Sequence, residues 1–136
     1  MSQVQIRSII TTALATWATA RNIPLPLARE NTAFTKPANF GTFLELNIIP
    51  ADTVTASVSG TRKRYLGEVI INIWTDDGIG TGAAEAIADG LVALFPVFPK
   101  TLDPLSIETF PSVKRSLLSD DGYRVTPVCF MYRMEA

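Results

Sequence analysis

The feature that most constrains this chain is a pair of β-like segments with apolar side chains on both faces. In residues 63–75 and 123–134 the side chains alternate with the period of two that a strand imposes. Bulky apolar residues occupy both registers of each segment: Tyr65, Val69, Ile71 and Ile73 against Leu66, Ile70 and Trp74, and Val125, Cys129 and Met131 against Val128, Phe130, Tyr132 and Met134. Such strands are most stable where both of their faces are covered.

Two amphipathic helices are predicted to cover one of those faces. Apolar residues recur at helical spacing in residues 3–19, and again from Thr81 or Gly82 to residue 95. The apolar stripes consist of Ile6, Ile9, Ile10, Ala13, Leu14 and Trp17 in the first helix, and of Ala84, Ile87, Ala88, Leu91 and Phe95 in the second. Two helices cover about one face of a small sheet. Because the second face needs another cover, we predict that the chain associates with copies of itself.

The remaining segments complete an α+β pattern. Residues 43–49 alternate as a strand, and weaker strand patterns occur at 105–110 and 113–118. Residues 24–42 are predicted to form an irregular crossing, and residues 51–61 a loop or the frayed arm of a hairpin. This order predicts one domain over the whole chain, a mostly antiparallel or mixed sheet of about four or five strands with two main helices packed on it.

Glycine and proline positions predict local irregularities in these strands. Gly67 predicts a bulge or bend, and Pro127 predicts either an edge position or a bulge in the last strand. Asp120, Asp121 and Gly122 have the composition of a hairpin turn.

Composition excludes most catalytic chemistry. The 136 residues contain no histidine and one cysteine, so His-dependent nucleophiles, His-based zinc sites and Cys-based clusters are excluded. Twelve Lys and Arg against thirteen Asp and Glu give a formal charge of −1, unlike a general nucleic-acid binder. The cysteine, Cys129, is predicted to be a small core residue. We expect no catalytic residue, metal or cofactor, and the longest apolar run, residues 91–95, is too short for a membrane partner.

One glycine-rich motif leaves a second kind of function open. Residues 78–83 read Gly-Ile-Gly-Thr-Gly-Ala between a strand and a helix, as the dinucleotide-binding fingerprint does. That fingerprint normally has an acidic residue about 20 positions further on, at a strand end. Here Asp103 lies among prolines, and Asp76 and Asp77 would repel a phosphate. We therefore predict a turn and a glycine helix start, with a small nucleotide-binding module as the alternative.

Four charged or aromatic groups are candidate contact residues. They are Asp76 and Asp77, Asp120 and Asp121, the basic run Arg62, Lys63 and Arg64, and Trp74. Each acidic pair precedes a glycine, which is typical of a solvated turn, although a carboxylate site or an acidic contact to a partner is also open. The basic run is either a solvated strand end or a contact to phosphate or to an acidic neighbour. The tryptophan is first of all a packing residue.

The order and spacing of the elements carry a further signal. A strand ends in Ile49, Pro50 and Ala51, a small-residue loop reaches Gly60, residues 62–67 read Arg-Lys-Arg-Tyr-Leu-Gly, and the glycine-rich helix start follows. This series resembles the tail terminator proteins of long-tailed bacteriophages and prophages, including a small related phage family formerly of unknown function. The resemblance extends over about residues 3–134 and is sharpest at 60–96.

The resemblance implies a structural, non-enzymatic function. Tail terminators form a ring, usually a hexamer, on the head-proximal end of the tail tube, where they stop polymerisation and meet head-completion or connector proteins. The implied location is the virion tail, after assembly in the cytoplasm of the host bacterium. In such a ring the basic run pairs with the acidic residues of a neighbour, or lines a lumen through which DNA passes without sequence-specific binding. A head–tail connector or a tail-tube-like protein is the alternative within the same class.

Overall fold

The backbone forms two helices and eight strands in the parts of the chain that the computed structural model describes: residues 3–21, 25–29, 34, 42–55, 60, 63–76, 82–95, 105–107, 109, 111–118 and 122–135. Helix α1 spans Gln3–Thr19 and helix α2 spans Gly82–Leu94. The strands are β1 (Leu27–Arg29), β2 (Phe43–Pro50), β3 (Val54–Thr55), β4 (Lys63–Asp76), β5 (Leu105–Ile107), β6 (Ser112–Val113), β7 (Leu117–Leu118) and β8 (Tyr123–Glu135). The predicted α+β class is confirmed, and neither helix is long and apolar enough to cross a membrane.

All eight strands belong to one mixed sheet. Its main path runs β1-β2-β4-β8-β5, while β3 extends the β2 side of β4, and β6 and β7 follow β5 along the outer side of β8. Only the β1–β2 pair is parallel among the described strands, and all the others are antiparallel. Strand β1 lies inside the segment for which an irregular crossing was predicted. Its three residues are too few to show a period of two in the sequence.

Both helices pack on the same face of the sheet, as their apolar stripes predicted. The buried cluster combines residues from the helices with every second residue of the three long strands. Its strand members are Leu44, Leu46 and Ile48 of β2, Val69, Ile71 and Ile73 of β4, and Val128, Phe130, Tyr132 and Met134 of β8. The helices meet where Trp17 of α1 packs over Gly90 of α2, since a β-carbon on that glycine would lie 2.7 Å from the Trp17 ring. Within the described residues, no helix packs on the other face of the sheet.

Residues 51–61 contain the predicted hairpin arm. Ala51 donates its N–H to the carbonyl of Leu66 at 2.9 Å, and β3 then resumes the pairing with Val54 opposite Arg64. Residues 52 and 53 therefore lie opposite a single residue of β4, Tyr65. Two residues opposite one is the arrangement of a β-bulge. The bulge lies in this arm and not in β4.

The prediction of a bulge or bend at Gly67 is wrong. Gly67 pairs regularly with Pro50 on one side and Tyr132 on the other. A β-carbon at this position would lie 2.6 Å from Cε1 and Cζ of Tyr132, whose side chain is fully buried. The glycine is thus required by the aromatic ring that lies across it, a close approach that any larger residue would prevent.

The irregularity at Pro127 is confirmed as a register shift, but β8 is not an edge strand. It pairs with β4 on one side and with β5, β6 and β7 on the other. The carbonyl of Pro127 accepts a 2.8 Å hydrogen bond from the N–H of Lys114, on the outer side of β8. Because the N–H and the carbonyl of a strand residue point to the same side, the N–H that proline lacks would also have pointed to the outer side. Between Val113 and Leu117 the register of this outer segment shifts by one residue, which is where a strand tolerates a proline.

We predict that Gly67→Ala lowers the free energy of unfolding by about 2 kcal/mol or more, because the added methyl group overlaps the buried Tyr132 ring. Chemical denaturation followed by circular dichroism measures the change. Gly82→Ala is the matched control, since a β-carbon at Gly82 meets nothing within 4 Å and the residue is exposed at the start of α2. A loss of less than about 0.5 kcal/mol for Gly67→Ala would contradict the packing role of the glycine.

Candidate assembly surfaces

The face of the sheet opposite the helices is the first candidate surface, which we call the open face. It is formed by the alternate residues of the three long strands: Phe43, Glu45, Asn47 and Ile49 of β2, Leu66, Glu68, Ile70, Asn72 and Trp74 of β4, and Val125, Pro127, Cys129, Met131 and Arg133 of β8. Apart from Phe43, these side chains are half-buried or exposed. This is the second apolar face that the sequence predicted, and within the described residues the helices leave it uncovered.

The most exposed part of the open face is an apolar row around one carboxylate. Ile49, Glu68 and Met131 lie side by side across β2, β4 and β8. Ile49 is 52% exposed and Met131 is 37% exposed. Isolated exposed apolar residues are ordinary, but here two of them lie on either side of Glu68 on one sheet face, as in surfaces that another protein covers.

One end of the open face carries an aromatic cluster. The ring of Phe43 stacks on the ring of Trp74, with 5.4 Å between the ring centroids, and it meets the Tyr123 ring edge-on, with 5.5 Å between the centroids. The centroid of the Phe34 ring lies 5.1 Å from that of the Phe43 ring. Phe34 therefore covers this end of the open face. The packing role that the sequence predicted for Trp74 is therefore observed, in a second, smaller cluster outside the main core.

The centre of the open face is polar. Glu45 accepts a 2.8 Å hydrogen bond from the Asn72 amide and a longer one, 3.5 Å, from the Asn47 amide. All three side chains are half-buried. Such a network orients the carboxylate but brings no second acidic group to it. Among the described residues, no three His, Cys, Asp or Glu side chains lie close enough together to hold a metal ion.

Cys129 lies on the open face, so the prediction of a core position is wrong. The register of β8 places Val128 and Phe130 in the core and turns the residue between them to the other face. Burial raises the pKa of the Cys129 thiol above its ordinary value, and the negative charge of Glu68 raises it further, while Lys114 acts in the opposite direction. The thiol is therefore protonated at neutral pH and suits a reporter better than a nucleophile.

The basic and acidic candidates lie at opposite ends of β4. Lys63 is exposed and Arg64 lies opposite Glu135 at one end, while Asp76 lies opposite Tyr123 at the other. Thirteen strand steps separate Lys63 from Asp76, a distance of roughly 43 Å in an extended strand. Lys63 and Asp76 cannot pair within one subunit, so any pairing between them joins two copies. The four other charged candidates, Arg62, Asp77, Asp120 and Asp121, lie outside the described residues.

The glycine-rich motif stands in a different setting from a dinucleotide site. Residues 78–81 lie outside the described residues, and the described pair Gly82 and Ala83 is exposed at the start of α2. The preceding strand β4 is antiparallel to both of its neighbours, β2 and β8. The fingerprint belongs to strand–helix–strand units of a parallel sheet, where strand ends and helix starts converge on the phosphates. The arrangement here favours the predicted turn and helix start.

Several exposed apolar residues were not among the sequence-based candidates. Besides Ile49 and Met131, Val113 is 46% exposed and Leu117 is 61% exposed on the outer edge beside β8, and Val4 of α1 is 78% exposed. The alternation in β8 indicated a second apolar face. Which residues stay uncovered depends on the path of residues 105–118, which has no strong period of its own.

One family model and two solved structures match most of the chain. The profile of the family described as phage tail terminator protein matches residues 5–131. A solved structure of a protein without a descriptive name is 33% identical, with a TM-score of 0.77 over 98% of this chain and 96% of the other. A chain in the virion of a native gene transfer agent particle is 17% identical, with a TM-score of 0.53 over 99% of this chain and 87% of the other, which shows the fold alone. No protein with a curated description matches.

We predict that Glu68→Gln speeds the alkylation of Cys129 by iodoacetamide at pH 8, by roughly twofold or more. Removing the carboxylate charge lowers the pKa of the thiol, so the reactive thiolate becomes more abundant. Rates are measured by mass spectrometry on the folded chain. Glu85→Gln on α2, across the sheet, is the control and should leave the rate unchanged. A rate unaffected by Glu68→Gln would contradict the electrostatic contact between the two residues.

Proposed function

Because this chain belongs to the phage tail terminator protein family, we propose that its copies form a closed hexameric ring on the head-proximal end of the tail tube. The ring stops polymerisation of the tube and presents the surface that head-completion or connector proteins bind. The family is one of phage tail structural proteins and is not an enzyme class. The whole chain acts as one domain of the virion, and assembly takes place in the cytoplasm of the host bacterium.

The uncovered open face is the observation that carries this proposal. A sheet with helices on one face and half-buried apolar residues on the other is only half of a layered fold. The Ile49 and Met131 row is the most exposed part of that face. Covering it with another protein surface removes apolar area from water, and each Å² removed stabilises the assembly by about 25 cal/mol before the costs of association.

The separation of charge along β4 also supports a ring. A closed ring joins two different surfaces of each subunit, so complementary groups must lie on different sides of the same chain. Lys63 and Asp76 meet that requirement, because they lie at opposite ends of β4. Alternatively the basic run lines the lumen, where DNA passes without sequence-specific contacts.

Termination can be tested directly with purified tube protein. Tube protein is allowed to polymerise alone and with increasing amounts of this chain, and tube lengths are measured by electron microscopy. The proposal predicts that tubes become shorter as the chain is added, because each capped end stops growing. If the chain is incorporated along the tube and lengths are unchanged, it is a tube-like protein and not a terminator.

We predict that replacing Arg62, Lys63 and Arg64 together by serine impairs tail completion, giving overlong tubes or headless tails. Substitutions at exposed positions such as Lys63 usually alter the free energy of unfolding by within about 0.5 kcal/mol, whereas Arg64 is half-buried, so circular dichroism must show that the variant is folded. Complementation of a phage that lacks the gene, followed by microscopy of its particles, measures the effect. A charge-preserving variant with Arg62→Lys, Lys63→Arg and Arg64→Lys is the control. Normal virions from the serine variant would show that the basic run is only a solvated strand end.

A further inference from the structure

A groove with a positively charged lining runs between helix α1 and the edge strand β1. Its volume is about 580 Å³, and its lining reaches from Val4 to Thr16 along α1. Strand β1 contributes Arg29, which lies opposite the buried Leu46 and therefore turns its side chain to the helix side of the sheet. Arg7 of α1 also lines the groove, and no carboxylate is present among the described lining residues. Two different elements thus bring positive charge to one groove.

The groove lies on the side of α1 that is turned away from α2. Trp17, which packs over Gly90 of α2, lies on one flank of the buried stripe of α1. At about 100° per residue, the lining residues Thr11 and Ala15 lie on the other flank. The described lining comes only from α1, β1 and β2. Between them, these elements leave this flank of α1 open to another molecule.

The exposed side of α1 also suits close contact with a second helix. Arg7 is the single charged residue among its seventeen, whereas a helix side that faces only water normally carries many charges. Apart from Val4 and Arg7, the exposed positions along the described helix are short hydroxyl side chains: Ser8, Thr12, Thr16 and Thr19. Short side chains allow the axis of another helix to approach closely.

Helix α2 presents a side of the opposite charge. Glu85 and Asp89, one helical turn apart, are its only charged residues, and both are exposed. The other exposed positions of α2 are glycine or alanine: Gly82, Ala83, Ala86 and Ala93. Among the described residues, neither carboxylate has an ion-pair partner. This side therefore combines two unpaired negative charges with a surface of small residues.

The acidic side of α2 is turned away from α1. The buried stripe of α2 lies between Gly90, on the flank that meets Trp17, and Glu85, on the other flank. Arg21 lies 4.9 Å over the Trp17 ring and is therefore on the flank toward α1. The positive groove and the acidic side thus lie on opposite sides of the two-helix layer of one subunit.

We propose that the groove between α1 and β1 of one copy receives the acidic side of α2 of the next copy. The two arginines of the groove lie against the two carboxylates of α2, and the short side chains of both helices pack between them. The lengths match, because Val4 to Thr16 and Gly82 to Leu94 are each twelve helical steps, or roughly 18 Å.

This contact rests on the proposed ring and names a surface that joins its subunits. Because the two surfaces differ and face in opposite directions, each copy can give α2 to one neighbour and receive α2 from another, as a ring requires. The helix layer of one subunit then continues into the helix layer of the next.

Cross-linking between two single-cysteine proteins tests the contact. Thr12→Cys and an affinity-tagged Ala86→Cys, each in a Cys129→Ser background, are mixed at high concentration, alone and with tail tubes, and treated with a short bismaleimide. The proposal predicts a covalent pair of one tagged and one untagged copy in the mixture, and none in either protein by itself. Thr12→Cys mixed with tagged Met131→Cys, on the open face, is the control. An equal yield from the control mixture would overturn the contact.

Sedimentation of the same samples separates the two levels of failure. If rings form but the mixed pair is absent, this contact is wrong and the proposed function stands. If the chain stays monomeric alone and with tubes, the ring and this contact are both wrong. A cross-linker at Thr12→Cys that labels the tube protein and no second copy also overturns the contact.

A charge exchange gives an independent measurement. Arg29→Glu and Asp89→Arg should each weaken self-association, by roughly tenfold or more for a close interfacial ion pair. The double variant Arg29→Glu with Asp89→Arg should recover much of the loss. Arg29→Glu with Asp52→Arg, at an exposed position outside both surfaces, has the same net charge and should not recover it. Recovery in neither double variant, or equal recovery in both, would overturn the pairing. Circular dichroism checks folding, and where Arg29→Glu does not fold, Arg29→Ser must still weaken self-association.

Discussion

The antiparallel ladder between β4 and β8 is the interaction on which the rest of the structure depends. It continues without a break from Arg64 opposite Glu135 to Asp76 opposite Tyr123. Because a strand turns alternate side chains to opposite faces, this one register decides which residues enter the core with the helices and which form the open face. A slip of one residue would move Phe130 out of the core and Cys129 into it. The Tyr132 ring over Gly67 fits only the observed register and stabilises it.

Both long strands, both helices and the α+β class could be predicted from the sequence, because each rests on a periodic pattern many residues long. The helices at Gln3–Thr19 and Gly82–Leu94 bury the stripes that their spacing indicated. Short elements could not be predicted in this way. Strand β1 has three residues, and β6 and β7 have two each, so their existence depends on what lies beside them and not on their own pattern. The roles of Gly67 and Cys129 likewise depend on cross-strand neighbours.

The candidate surfaces were predicted in kind but not in detail. An apolar second face followed from the alternation in β4 and β8, whereas its most exposed residues, Ile49 and Met131, depend on how neighbouring strands end. The basic run and the acidic residues were visible in the sequence, but only the fold shows that a full strand length separates Lys63 from Asp76.

The most direct test of the account is to image the ends of tail tubes assembled together with this chain. Cryo-electron microscopy of tubes of limited length, with particles aligned on their ends, resolves whether an extra layer is present and what symmetry it has. The account predicts a closed sixfold ring at one end of each tube, into which the fold described above fits. Bare ends, an identical layer at both ends, or copies of the chain distributed along the tube wall would contradict it.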